Sequence, residues 1–253
     1  MRLADAALLL GAGLTGGTVN AIAGGGSLVT FPALLAVGLP AKPANFTNSV
    51  AMSPGYLASV YGSRKDLPRD LRVLPTTVLG TLAGTLLLKL TPAATFELIV
   101  PFLVIGATLV LAFQQRLRSL VGHPREMREM TDRRRVVALH AIVGLAAVYG
   151  GYFGAALGVM LIAGLALVLD ESLHRINARK NLISATSGLV TVLVFALIGE
   201  VNWAAVGVLA PATVTGGYLG ARLARRLPAP VLRTLVVVFG LTVGGYLLVR
   251  ALT

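Results

Sequence analysis

Cysteine is absent from this chain of 253 residues, tryptophan occurs once and histidine three times. The missing thiols exclude disulfides, thiolate metal sites and cysteine nucleophiles. His123, His140 and His174 are scattered without the spacing of a metal site, so neither a metal nor a cofactor is expected. Charge is also scarce. Charged residues make up 13% of the chain, about half of the roughly 25% usual in a soluble domain. Acids are the rarest class, 10 against 22 lysines and arginines. No acid pair, metal-ligand set or nucleophile beside a base stands inside the apolar runs, so an enzyme is not expected. Glu97, near the start of its segment, is the one acid set into a span, and no carboxylate relay for protons is visible.

What is present is apolar, 56% of all residues. The expected solvent is lipid, where the backbone must satisfy its own hydrogen bonds in helices or a closed barrel. Barrel strands would alternate in polarity, whereas these runs are unbroken, so an all-α polytopic membrane protein is expected. Six charge-free runs (43–63, 73–88, 98–115, 181–199, 201–221 and 234–249) each suit one span. Two others, 6–41 and 136–169, are too long for one crossing. Each carries glycines near its centre, Gly24-Gly25-Gly26 in the first and Gly150, Gly151 and Gly154 in the second. Glycine permits a tight reversal, so both are read as helical hairpins. The N-terminal run has a signal-peptide outline, but Asp5 follows Arg2 closely and many apolar segments come after it. It is read as a retained membrane segment.

The chain also repeats itself. Asn48, Lys42 and Gly25 recur 133 residues on as Asn181, Arg175 and Gly158. Gly80, Gly84 and Pro92 recur 136 residues on as Gly216, Gly220 and Pro228. The expected division is a first repeat at 1–115, a basic linker at 116–135 and a second repeat at 136–253. Each repeat is one hairpin plus three spans, an odd number of crossings, so the second starts on the opposite face and the repeats are inverted. Charge agrees. All 22 lysines and arginines except Arg2, Lys42, Lys89 and Arg250 fall in loops that this parity places on one side. The positive-inside rule makes that side cytoplasmic and leaves both termini outside. Basic residues confined to such loops do not call for a nucleic-acid partner.

The stretch Gly24-Gly25-Gly26-Ser27, with Pro32 in the next arm, then Gly38-Leu39-Pro40 and Thr47-Asn48-Ser49, resembles the hallmark of the sulfite exporter TauE/SafE family. The likeness extends over nearly the whole chain. The resemblance implies a permease of the bacterial inner membrane for sulfite, sulfonates or related anions. The second half departs from the pattern, with Gly154-Ala155-Ala156-Leu157-Gly158 at its tip and Glu171-Ser172-Leu173 further on.

Paired hairpin tips point to an anion site near the membrane centre, since turns and helix N-termini offer N–H donors and partial positive charge. The candidates are Asn20, Gly24, Gly25, Gly26 and Ser27 from the first half, and Gly154 and Gly158 from the second. Small residues also serve close helix packing, the competing reading. Asn48 and Asn181 occupy matched positions, where an amide donates to an anion or caps a broken helix. Lys42 and Arg175 are matched cations at opposite faces, suited to gating or to anchoring. The expected function is a secondary transporter of a small oxyanion. An anion channel, or a carrier for a carboxylate or another solute, is the alternative. Substrate, direction and oligomeric state, a homo-oligomer included, are left open by the sequence.

Overall fold

The computed structural model describes residues 2–113, 116, 132–223 and 229–252. These residues contain helices and no strand. The first half runs α1 (Leu3–Ala23), α2 (Ser27–Ala36), α3 (Ala41–Gly62), a short 3-10 turn at Arg64–Asp66, α4 (Val73–Leu90) and α5 (Ala93–Ala112). The second runs α6 (Asp132–Tyr152), α7 (Leu157–Val168), α8 (Leu173–Ile198), α9 (Trp203–Leu223) and α10 (Ala229–Leu252). Most of the linker expected at 116–135 lies outside the described residues, and α6 already begins at Asp132.

Among the described residues four stretches are long and apolar enough to cross a membrane: Val73–Leu90, Ala93–Ala112, Arg133–Tyr152 and His174–Ile198. Surface and interior are arranged for lipid. Leu79, Leu86, Leu98, Phe102, Leu145, Leu193 and Leu197 are exposed, while Thr77, Thr81, Thr85, Ser184, Ser187 and Thr191 are buried. Lipid tails reward an apolar exterior, and hydroxyls between helices find partners there. Thr81 Oγ1 donates to Ser187 Oγ at 3.0 Å between α4 and α8. Ser53 Oγ donates to the Gly188 carbonyl at 3.2 Å between α3 and α8.

Both expected hairpins are present, with unequal arms. α1 has 21 residues and α2 has 10, about 31 Å and 15 Å of helix against a hydrocarbon core of about 30 Å. α6 and α7 repeat the pattern with 21 and 12. Glycine ends the first long arm. Gly24 takes φ 77° and its N–H returns to the Asn20 and Val19 carbonyls, a left-handed helix cap. Prolines sit just before α3 and α5, at Pro40 and Pro92, where no intrahelical N–H is needed. Asn202 opens α9, its side-chain oxygen accepting the Ala205 N–H at 3.0 Å.

Packing links the halves. α1 lies along α9, and α6 lies along α4. α3 packs on α8, and α5 on α10. Glycine makes the closest approaches. A Cβ on Gly84 would collide with the Val148 carbonyl of α6, and one on Gly216 with the Leu14 carbonyl of α1. Direction follows from the contacts. Ser53 meets Gly188 and Asn181 meets Ser59 and Ser63, so α3 and α8 run antiparallel. Gly240 abuts Thr108 and Gly244 abuts Ile105, so α5 and α10 do as well.

Candidate functional site

The two hairpin turns touch. A Cβ on Gly24 would stand 3.3 Å from the Val159 nitrogen and 3.4 Å from the Gly158 Cα. Backbone meets backbone, which only residues without side chains allow. Gly154 takes φ 73° and Ala156, which caps α7, takes φ 58°. Ala156 is the one left-handed residue other than glycine among the described residues. Alanine there costs roughly 1–2 kcal/mol, and strain of that kind collects at functional turns. Its sequence neighbours gave no sign of it.

The other expected residues divide into three groups. Ser27 and Gly154 line a small cavity with Ser49, Ser184, Ser187 and Thr191, about 20 Å³ in volume. That is room for one water. Tyr56, which the sequence reading did not single out, closes the same cavity. Asn20 and Asn181 line a second, half-open space of about 890 Å³, together with Ser59, Ser63, Asn177 and Lys180. Gly25, Gly26 and Asn48 face packing partners. A Cβ on Gly25 would lie 3.1 Å from Leu111 of α5, and one on Gly26 would collide with the Gly16 carbonyl. Asn48 is buried, its side-chain oxygen accepting the Thr30 hydroxyl at 2.5 Å. Asn181 Nδ2 donates to the Ser59 carbonyl at 3.2 Å and to Ser63 Oγ at 3.1 Å. The matched asparagines therefore do different work. Asn48 holds a hairpin arm, and Asn181 ties the two halves at the mouth of the larger space.

The two ends of the bundle also differ. The larger space opens at the C-terminal end of α3, beside the N-terminal end of α8. The opposite end carries a smaller space of about 400 Å³, lined by Pro40, Glu97 and Arg250 among others. Phe31 packs on Phe153, beside the second hairpin turn, with centroids 5.3 Å apart, and Phe46 packs on Phe195 toward that opposite end at 4.6 Å. Polar ties join the halves there. The Asn202 N–H donates to Thr47 Oγ1 at 3.0 Å, and Asn45 Nδ2 donates to the Tyr152 carbonyl at 2.8 Å. Lys89 Nζ reaches the Ile198 carbonyl at 2.8 Å.

Two further polar sites have structural partners. His140 Nδ1 lies 2.9 Å from the Val136 carbonyl one turn back. Arg179 and Glu171 form a largely buried ion pair at 2.7 Å that pins the N-terminal end of α8 to the preceding loop. No cluster of metal-ligating side chains occurs among the described residues.

Apolar exteriors and helices long and apolar enough to cross a bilayer define a polytopic helical membrane protein. The family model for the sulfite exporter TauE/SafE matches residues 9–247, and the chain belongs to that family of membrane transporters rather than to any class of enzyme. A probable membrane transporter protein of Haemophilus influenzae is 30% identical over 236 residues, covering 92% of this chain and 90% of the relative. The probable membrane transporter protein YfcA of Escherichia coli K12 is 31% identical over 215 residues, covering 83% and 76%. ORF9 of a Sinorhizobium species, also called a probable membrane transporter protein, is 24% identical over 246 residues, covering 96% and 92%. No solved structure matches the chain.

Proposed function

We propose that this chain is a secondary carrier that moves a small sulfur-containing oxyanion, such as sulfite or an organosulfonate, across the bacterial inner membrane. Access alternates between the two faces, and the anion binds where the hairpin tips meet. The observation that carries this reading is the Gly24–Gly158 contact, with the Phe46–Phe195 contact and cross-half hydrogen bonds toward one end of the bundle and an 890 Å³ vestibule at the other. Inverted repeats are supported by direction. Sequence counterparts α3 and α8 run antiparallel, as do α5 and α10. Two halves related in this way exchange roles when the bundle rocks, which is how such carriers present one site to two faces.

The vestibule opens beside the basic loops at 64–72 and 170–180, so the positive-inside rule makes it cytoplasmic and leaves both termini outside. Its lining carries Lys180 beside the donors Asn20 and Asn181, with the Lys180 stem 3.4 Å from where a Cβ on Gly158 would stand, suited to drawing anions toward the tip contact. The tip cavity adds hydroxyls from Ser27, Ser184 and Ser187, while the Thr191 hydroxyl donates to the Ser187 carbonyl at 2.6 Å. This cavity, about 20 Å³, admits a single water and no polyatomic anion, so passage requires the tips to part.

Purified protein in liposomes tests the reading. Preloaded unlabelled sulfite should accelerate entry of labelled sulfite, and sulfate, thiosulfate, methanesulfonate and acetate inside should rank the substrate class. Flux without trans-stimulation would make it a channel. Trans-stimulation by acetate alone would move the substrate to carboxylates.

A further inference from the structure

At the end opposite the vestibule two lysines act in series. Lys42, near the start of α3, points its ammonium at the ends of α4, donating to the Lys89 carbonyl at 3.0 Å and the Thr91 carbonyl at 2.6 Å. Lys89 then donates its own ammonium to the carbonyl of Ile198, the last residue of α8, at 2.8 Å. Every acceptor is a main-chain carbonyl at a helix C-terminus, where the last turn leaves oxygens without intrahelical donors and the helix dipole is negative. The second link crosses from one half to the other. It lies at the same end as the Phe46–Phe195 ring contact. At the open end stands Arg175, the sequence counterpart of Lys42, with its side chain exposed.

From this geometry we propose that Lys42 and Lys89 form the latch of the outer gate, holding the halves together while the vestibule is open and releasing when the outer end opens. The lysines suit a reversible tie. An ammonium on a four-carbon stem keeps three donors, and water replaces a carbonyl partner at an exposed site at little cost. The Phe46–Phe195 contact packs the same end, and the lysines bias its closure. Loss of the Lys89 link should favour the outward-open state by roughly three- to tenfold, the shift expected from one exposed hydrogen bond for which water competes. The proposal rests on the carrier reading above.

The absence of cysteine makes the test direct. Thr191→Cys reports on the buried tip cavity, one turn from Phe195, and Ser59→Cys reports on the vestibule. Each is made alone, then with Lys89→Met, Lys89→Arg or Lys42→Met, and labelled with a membrane-impermeant maleimide in right-side-out and inverted vesicles. Lys89→Met should raise Thr191→Cys labelling from the outer face and lower Ser59→Cys labelling from the inner face by similar factors. Lys89→Arg, which keeps a cationic donor, should stay close to the parent. Lys42→Met should move both reporters in the same direction as Lys89→Met, and serves if that protein is not recovered. Reciprocal changes with the two faces exchanged would uphold the latch and overturn the topology. Unchanged labelling at both reporters in both methionine variants would overturn the latch and leave the carrier reading standing.

Discussion

Gly24→Ala and Gly158→Ala drive a methyl group into the same contact from opposite sides. From Gly24 the methyl would stand 3.3 Å from the Val159 nitrogen, and from Gly158 it would stand 3.3 Å from the Gly24 Cα. The steric penalties are alike, and the backbone penalties are not. Gly24 takes φ 77°, a left-handed conformation that costs an L-residue about 1–2 kcal/mol. Gly158 lies in the first turn of α7, where alanine gains up to about 1 kcal/mol of helix propensity. The two variants should therefore differ by about 2 kcal/mol in stability. In a chain of this length each kcal/mol shifts the melting temperature by roughly 2–4 °C. Gly24→Ala should melt well below Gly158→Ala in scanning fluorimetry of detergent-purified protein. Transport should not follow stability. If the tips shift past each other in each cycle, both variants should lose sulfite counterflow by roughly tenfold, since about 1.4 kcal/mol on the moving step suffices. Wild-type flux in Gly158→Ala would refute the reasoning, because the same methyl would then sit harmlessly in a contact taken to be moving.

Other outcomes follow from the same geometry. Asn181→Ala removes two cross-half hydrogen bonds and should cost about 1–2 kcal/mol, measured as a lower melting temperature; no shift would mean that water already serves those groups. Gly216→Leu places a side chain against the Leu14 backbone of α1 and should prevent recovery of folded protein, whereas Gly207→Leu, with open space around it, should be recovered normally. Arg179→Met leaves Glu171 without its partner and should destabilise by roughly 2–3 kcal/mol, with Arg179→Lys restoring part of the loss. A reporter enzyme fused after Thr253 should be active outside the cytoplasm, and activity inside would reverse the proposed orientation.

The hairpins were legible because glycine clusters interrupt runs too long for one crossing, and Gly24 does take the left-handed turn such a cluster allows. The matched glycines at Gly80, Gly84 and Gly216 were legible as a repeat, and two of them mark the closest helix approaches. Unequal arms were not legible, since apolar residues on both sides of a turn say nothing about where a helix frays into loop. α5 begins at Ala93, ahead of the charge-free run, because Glu97 lies exposed on its first turns. The lysine ties escaped notice because their acceptors are main-chain carbonyls, which every residue carries. Phe46 meets Phe195 only through the packing of α3 on α8. Asn48 and Asn181 looked equivalent in sequence, yet their partners come from different helices and their roles diverge.

A density map of the protein in lipid nanodiscs with saturating sulfite bears most directly on whether the tips hold the anion. The account predicts density for the anion beside Ser27 and Gly154, with Gly24 and Gly158 moved apart to admit it. Anion density only at the mouth of the vestibule, with the tips still in contact, would contradict it.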